Sequence, residues 1–281
     1  TALTYYNMAT IIQDSYPGVI NFKKDGKPQV INQYETEEFM NYAKLVRDWV
    51  KKGYIRDVFD KNPDHYMHKD VNRSPAGICR YMLETEGLYE FKYENPYAVK
   101  QIGDSVVTTQ GLLASCTGIG AFSKNPEAAV KVLEIMHTDK EIFNMVLYGI
   151  EGENYDVVGD NLIHKKENNT YSISHWLIGS QLNSYVDDSY PADLYVKARA
   201  FNDTAIASPL VGFTADTTKI LAQLGNCETV IKERFDSINR GLVDPGKAVP
   251  EFIAALKTAG VDEVIKELQK QVDDWWETTH K

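Results

Sequence analysis

The stretch Gly118-Ile-Gly-Ala-Phe-Ser-Lys-Asn-Pro-Glu-Ala-Ala129 decides the fold class, because it turns from an apolar run into the start of a helix. Its first five residues predict a short strand. Asn125 is then a candidate helix cap, Pro126 suits the first helical position, and Glu127 favours the positive helix start. A mixture of strands and helices in this order indicates an α/β architecture.

Upstream of this stretch, short apolar runs surround one clear helix. Residues 19–22 and 29–31 flank Asp25-Gly26, and an Asp-Gly between two apolar runs is a hairpin signal. A helix is predicted from the cap Thr36 to the stop at Gly53. Further strands are predicted at residues 76–83, 98–102 and 106–114.

Downstream of it, the chain becomes mostly helical. Thr138-Asp-Lys-Glu141 is a capping box that starts a helix ending at Gly149. A small hairpin is predicted around Gly159-Asp160, and apolar stripes at helical spacing run from Ile220 to the end. The predicted fold class is therefore α/β, with carboxy-terminal helices packed on a sheet.

The composition is that of a globular protein with an acidic surplus. Hydrophobic residues make up 43% and charged residues 25% of the 281 residues, so a sizeable core is expected. The formal net charge of −10 argues against a nucleic-acid or anionic-membrane surface, since both need clustered cations. No apolar run is long enough to span a membrane, and the amino terminus shows no signal-peptide pattern.

Metal and redox motifs are weak. Cys79, Cys116 and Cys227 form no CxxC pair, which favours three reduced thiols. His65 and His68 have the spacing of one helix face, but no third ligand accompanies them, so solvated loop histidines are the favoured interpretation. We expect no metal and no cofactor.

Aromatic and acidic residues supply the candidates for ligand contact. Seventeen tyrosines offer ring faces and hydroxyls that suit sugars, although they equally suit the edge of a core. Glu151 lies between two glycines, where a carboxylate accepts hydrogen bonds from ligand hydroxyls or forms half of a glycosidase pair. Trp176 lies in a segment rich in hydroxyl and amide groups, where it stacks on a sugar ring or packs in the core.

Several segments together resemble the extracellular solute-binding proteins of carbohydrate ABC importers, family 1 and maltose-binding-like, in the Gram-positive lipoprotein branch. Their order and spacing from about residue 30 to 276 carry the resemblance, and the tail resembles the carboxy-terminal domain characteristic of that branch. The segments are Gly118 to Ala129, Thr138 to Glu141, Tyr148-Gly-Ile-Glu-Gly-Glu-Asn-Tyr155, Ser208-Pro-Leu-Val-Gly-Phe213, Gly241-Leu-Val-Asp-Pro-Gly246, and Pro250 to Gly260.

The resemblance implies a periplasmic-binding-protein type II-like lobe with a helical carboxy-terminal tail. Residues 1–107 are expected to form the core of the second lobe. Residues 108–155 would be the inter-lobe crossing segment with helices that pack on the first lobe, and residues 156–281 a mostly helical region. The first lobe, the signal peptide and the lipid-anchoring cysteine are expected to lie outside this chain.

The implied function is to bind a sugar or oligosaccharide for import by clamshell closure, without catalysis. The expected partners are the carbohydrate ligand and the ABC permease subunits, with no nucleic acid. The protein is expected to be a monomer and an extracellular cell-surface lipoprotein that meets the membrane only through its anchor. Expected hinge residues are Thr109 and Gly149, and expected ligand contacts are Tyr5, Tyr6, Asn7, Arg80, Tyr81, Gln110, Glu151, Tyr155 and Trp176.

Two functions of other classes stay open on the sequence. One is a glycoside hydrolase that uses Glu151, for which the sequence offers no second carboxylate by spacing. The other is an interaction module whose helical tail binds a protein partner.

Overall fold

A computed structural model describes residues 6–13, 15–55, 100–167, 169, 171 and 173–280, with only the main chain of Trp176. The described residues form two compact units. The first unit holds those within 6–55, 102–112 and 206–280, and the second holds those within 100–101 and 113–205. The division into 1–107, 108–155 and 156–281 stays a prediction, and the strand predicted at 76–83 lies outside the described residues.

Helices dominate the second half of the chain, and strands are short throughout. Within the described ranges, no helix is long and apolar enough to cross a membrane. The strands are β1 Met8–Thr10, β2 Gly18–Asn21, β3 Ile31–Asn32, β4 Val106–Val107, β5 Tyr155–Gly159, β6 Leu162–Lys165, β7 Val186–Asp187 and β8 Ile206–Ala207. The α-helices are α1 Glu37–Lys51, α2 Thr109–Leu112, α3 Pro126–Thr138, α4 Lys140–Tyr148, α5 Leu194–Asn202, α6 Leu221–Asn239, α7 Pro245–Thr258 and α8 Val261–Thr279.

The first unit is built on a small antiparallel sheet in the order β1-β2-β3. This confirms the pairing of the two apolar runs on either side of Asp25-Gly26. The sheet packs on the last helix, because Val264, Leu268 and Val272 on α8 share a core with Ile20 of β2. Parallel pairing of β4 with β8 adds a second, two-stranded sheet to this unit.

Three helices form the other core of the first unit. Tyr34, Ala43 on α1, Ile231 on α6 and Phe252 on α7 are buried together. The helix α1 begins as predicted, since the Thr36 hydroxyl accepts the Phe39 amide hydrogen bond at 3.2 Å. Local capping chemistry and an apolar stripe are therefore enough to define this element.

The second unit packs α3 and α4 beside the three-stranded sheet β5-β6-β7. Its core contains Phe143 and Leu147 of α4 together with Tyr155 and Ile163 of the β5–β6 hairpin. The hairpin is confirmed, with Asn161 at φ 56° in its turn. The helix after the capping box is also confirmed, but Asp139 caps it by accepting the Ile142 amide at 2.9 Å, whereas the Thr138 hydroxyl donates to Glu134.

Two predicted strands are wrong, and of the strand predicted at 98–102 the described residues 100–102 are not in a strand. Residues 118–122 form an exposed loop in which Phe122 is 100% exposed, and the run pairs with no strand among the described residues. The run from 106 to 114 is a strand only at β4, because the Thr108 hydroxyl accepts the Gly111 amide at 3.0 Å and a turn of helix follows.

Gly241, in the link between α6 and α7, gives a prediction about stability. Its φ is +63°, and an added Cβ would lie 2.9 Å from the Val46 carbonyl oxygen and 3.0 Å from the Arg47 nitrogen. We expect Gly241→Ala to lower the free energy of unfolding by about 1–3 kcal/mol, measured by urea denaturation.

The matched control for Gly241→Ala is Gly225→Ala on α6. An added Cβ at Gly225 meets nothing within 4 Å, and the position is helical. This variant should raise the free energy of unfolding by about 0.5–1 kcal/mol. Equal effects of the two substitutions would contradict the backbone argument.

Candidate functional site

A tight loop joins α4 to β5 in the second unit and carries Glu151 at its tip. Gly149 ends α4 with φ 91° and ψ −143°, and its amide donates to the Met145 carbonyl at 2.9 Å. A residue with a Cβ rarely adopts these angles, so glycine is required where the chain leaves the helix. The predicted hinge residue Gly149 therefore occupies a sharp corner, and its movement as a hinge stays a prediction.

Asn154 closes this loop. Its side-chain Oδ1 accepts a hydrogen bond from the Ile150 main-chain amide at 2.8 Å, and its main-chain amide donates to the Ile150 carbonyl at 2.8 Å. The Gly152 amide donates to the Tyr155 carbonyl at 2.7 Å. These three hydrogen bonds fix the main chain on both sides of Glu151, whose side chain is exposed.

The Glu151 side chain is exposed on a loop whose main chain is held by these three hydrogen bonds. Among the residues that the structure describes, no cation forms an ion pair with it. An exposed, unpaired carboxylate on a fixed main chain can accept hydrogen bonds from two neighbouring hydroxyl groups of a ligand. The geometry is therefore compatible with the predicted ligand contact, which stays a prediction.

Tyr155, the predicted contact at the start of β5 directly after this loop, lies in the core. It is 6% exposed, and its ring centroid lies 6.2 Å from that of Tyr148 and 6.3 Å from that of Tyr185. Burial raises the pKa of its phenol above the ordinary value. Packing is the role that the contacts show, and ligand contact by Tyr155 stays a prediction.

A polar network behind the loop was not predicted from the sequence. The Tyr148 hydroxyl donates to the Tyr185 carbonyl at 2.9 Å and lies 2.7 Å from the Ser184 hydroxyl and 3.2 Å from His175 Nε2. The Tyr195 hydroxyl lies 3.2 Å from His175 Nδ1. Burial raises the pKa of Tyr148 to about 12, so this phenol keeps its proton at every physiological pH.

The sequence signal for this network was the segment around Trp176, in which the neighbouring His175 was overlooked. His175 bridges two tyrosines that lie 27 and 20 residues away from it along the chain. The side chain of Trp176 lies outside the described part of the structure, so its predicted ligand contact stays a prediction.

The remaining described candidates belong to the first unit. Asn7 precedes β1 with φ 59°, and its carbonyl accepts the Phe22 amide at 3.0 Å. The Gln110 side chain on α2 donates to the Ile11 carbonyl at 2.7 Å. Tyr6 is half-buried beside Asn7. Ligand contact by Tyr6, Asn7 and Gln110 stays a prediction.

Thr109, the second predicted hinge residue, is buried at the start of α2. Its hydroxyl donates to the Leu210 carbonyl at 3.0 Å and accepts the Gly212 amide at 2.9 Å. It therefore ties α2 to a segment about a hundred residues further along the chain. Movement at Thr109 would have to keep or break these two hydrogen bonds. The role of Thr109 as a hinge stays a prediction.

Several candidates lie outside the described residues, namely Tyr5, His65, His68, Arg80 and Tyr81. Within the described ranges, no group of three or more His, Cys, Asp and Glu side chains could hold a metal ion. The structure thus places Gly149 and Glu151 in the loop before β5, Tyr155 at the first position of β5, and Thr109 and Gln110 in one helix.

Thr109 gives a second prediction about stability. Thr109→Val keeps the shape of the side chain but removes the partner of the buried Leu210 carbonyl and of the Gly212 amide. We expect it to lower the free energy of unfolding by about 1–3 kcal/mol in urea denaturation. The control Thr204→Val removes an exposed hydroxyl that donates to Phe201, and it should change stability by less than about 0.5 kcal/mol.

A pH-dependent ion pair next to the loop gives a further prediction. His164 Nδ1 on β6 lies 2.7 Å from the Asp188 carboxylate, and this hydrogen bond raises the pKa of His164. The pair therefore stabilises the fold below the unfolded pKa of about 6.5, and this contribution is lost as pH rises through the higher folded pKa. Asp188→Asn should return the His164 pKa toward its ordinary value in an NMR titration, whereas Asp160→Asn should leave it nearly unchanged.

Comparison with known proteins gives one family match, in the tail. Residues 209–277 match the family described as a domain of unknown function, DUF3502. These residues include α6, α7 and most of α8, and the match agrees with the predicted resemblance of the tail to a characteristic carboxy-terminal domain.

Relatives of known description cover nearly the whole chain. A carbohydrate ABC transporter substrate-binding protein of Streptococcus pneumoniae serotype 4 is 24% identical over 277 residues. The match covers 94% of this chain and 55% of that protein, so the chain spans about half the length of the curated relative.

Solved structures show the same relationship. The N-glycan transport solute binding protein NgtS from Streptococcus pneumoniae has a TM-score of 0.81 and 23% identity, covering 98% of this chain and 62% of that one. Its complex with Man1GlcNAc has a TM-score of 0.74 and 22% identity, covering 96% of this chain and 62% of that one. The predicted resemblance is thereby confirmed: the chain has the fold of the solute-binding proteins and is a homologue of a carbohydrate ABC transporter substrate-binding protein.

Proposed function

We propose that this chain is part of the solute-binding component of an ABC transporter and binds a sugar or oligosaccharide for import. The observation that carries the proposal is the structural match over 98% of the chain to a solute-binding protein that also matches in complex with a glycan. The geometry of the candidate site also supports the proposed function, because the exposed Glu151 carboxylate is held on a hydrogen-bonded loop. Clamshell closure would then bring ligand contacts from two lobes together.

Exposed apolar side chains support the proposed position of residues 108–155 against a first lobe. The helix α3 has no buried residue, and its Val130 and Val132 are 55% and 54% exposed. Leu113 and Phe122 before it and Ile150 after it are also exposed. A concentration of exposed apolar side chains in one segment agrees with a region that another part of the protein covers. We propose that the first lobe covers it, which agrees with the longer relatives.

The proposal excludes catalysis. Glycoside hydrolysis needs two carboxyl groups about 5–9.5 Å apart around the scissile bond. Glu151 is fixed by its own loop, and the relatives of known description are solute-binding proteins. We therefore propose that Glu151 binds hydroxyl groups and transfers no proton to a leaving group.

The proposed role also differs from that of a protein-interaction module. The apolar face of the tail is used inside the chain, because Val261, Val264, Leu268 and Val272 on α8 are 0% exposed. A helix whose apolar face is already covered by its own sheet offers little to a partner. We propose the ABC permease subunits as partners of the whole protein, a monomeric state, and an extracellular, lipid-anchored location.

The test is calorimetric titration with Man1GlcNAc and Man5GlcNAc, using both this chain and the natural full-length protein that contains it. We expect the full-length protein to bind at least one of these glycans. Glu151→Gln should weaken binding by about tenfold, because a hydrogen bond to a charged acceptor is lost. Glu153→Gln, which changes an exposed carboxylate two residues away, should bind as the wild type does.

Two outcomes would count against the proposal. One is the absence of binding by the full-length protein to these glycans and to a wider glycan array. The other is release of free sugar from a glycan incubated with the wild-type protein, followed by NMR, which would favour the hydrolase alternative. Weaker binding by the chain alone than by the full-length protein would support the proposed missing lobe.

A further inference from the structure

The side chain of Asn154 occupies the space that a side chain at Gly149 would need. A Cβ added to Gly149 would lie 2.6 Å from Asn154 Cγ and 3.0 Å from its Cβ. The two residues are five positions apart and enclose Glu151. The Asn154 side chain therefore packs against the Gly149 main chain, in space that only a glycine at position 149 leaves open.

Asn154 is also tied to the hairpin behind the loop. Its carbonyl accepts the Lys166 amide at 3.1 Å and the Asn169 side-chain amide at 3.0 Å. The Lys166 ammonium group in turn donates to the Gly152 carbonyl. The main chain on both sides of Glu151 is thus anchored to residues that follow β6.

The hydrogen bond from the Ile150 amide to Asn154 Oδ1 fixes the main chain directly before Glu151. The Ile150 amide lies one residue before Glu151, and both Ile150 and Glu151 are exposed. Solvent would otherwise satisfy that amide in many loop conformations. The Asn154 side chain selects one of them before any ligand arrives, which reduces the conformational entropy lost on binding.

We propose that Asn154 is a positioning residue for ligand binding, which holds the Glu151 carboxylate in place through the Ile150 amide and does not itself touch the ligand. The inference rests on the proposed function, because it assigns Glu151 to a ligand. It also makes the loop a preformed part of the site, so that Gly149 and Asn154 act as one unit.

The test is a double-mutant cycle in the natural full-length protein, with a bound glycan from the titrations above as the probe. The variants are Glu151→Gln, Asn154→Ala and their combination. Asn154→Ala should raise the Kd by about three- to tenfold. The double variant should bind no more weakly than Glu151→Gln alone, because Asn154 acts only through Glu151.

Two further measurements separate positioning from a general structural role. Asn154→Asp keeps the acceptor oxygen for the Ile150 amide and should restore most of the affinity that Asn154→Ala loses. The melting temperature of Asn154→Ala should stay within a few degrees of wild type, and exchange of the Ile150 amide with deuterium should be faster.

The outcomes distinguish the inference from the function on which it rests. A wild-type protein that binds no glycan overturns the proposed function, and the inference with it. If the wild type binds and Glu151→Gln binds more weakly, unchanged affinity of Asn154→Ala overturns the inference alone. Additive losses in the double variant, or no rescue by Asn154→Asp, overturn it as well.

Discussion

The first unit depends on the side-chain amide of Gln269 in the last helix. Its oxygen accepts the Val30 amide at 2.7 Å, and its nitrogen donates to the Pro28 carbonyl at 3.2 Å. Both main-chain groups belong to buried residues, so leaving them unpaired would cost free energy. The apolar residues of α8 supply the burial, and Gln269 fixes where the helix lies against the sheet.

In the second unit, too, a side-chain amide forms hydrogen bonds with main-chain groups. Asn144 on α4 is 0% exposed; its amide donates to the carbonyls of Lys140 and Asn183, and its oxygen accepts the Tyr185 amide at 2.6 Å. Asn154 does the same within the Glu151 loop. Three amide side chains thus satisfy main-chain groups where strands are only a few residues long. Short strands leave much of the main chain without ladder partners, and asparagine or glutamine, which both donate and accept, can supply them.

Local signals in the sequence predicted the helices well, and long-range contacts explain the errors. Thr36 as a cap and the apolar stripe of α1 act within one element, so they could be read directly. The structure of residues 106–114 could not be predicted in this way, because the Thr109 hydroxyl forms hydrogen bonds with Leu210 and Gly212, which are about a hundred residues further along the chain. The many tyrosines suit sugar contact and core packing alike; Tyr148 and Tyr155 are buried, so for these two the contacts show packing. The motif from Tyr148 to Tyr155 predicted the position of the loop. It did not predict the proposed role of Asn154, which depends on the main-chain dihedral angles at Gly149 and cannot be inferred from the spacing of residues.

The first unit is formed by segments that are far apart in the sequence, and this affects the order of folding during synthesis. Its sheet comes from the first 32 residues, whereas the helix that covers the sheet starts at Val261. The second unit lies between them in the sequence and contains its own core. During synthesis the second unit can therefore collapse first, while the sheet keeps an uncovered apolar face until residues 261–279 emerge. A chain that stops before Val261 would leave the sheet without this cover and open to aggregation or proteolysis.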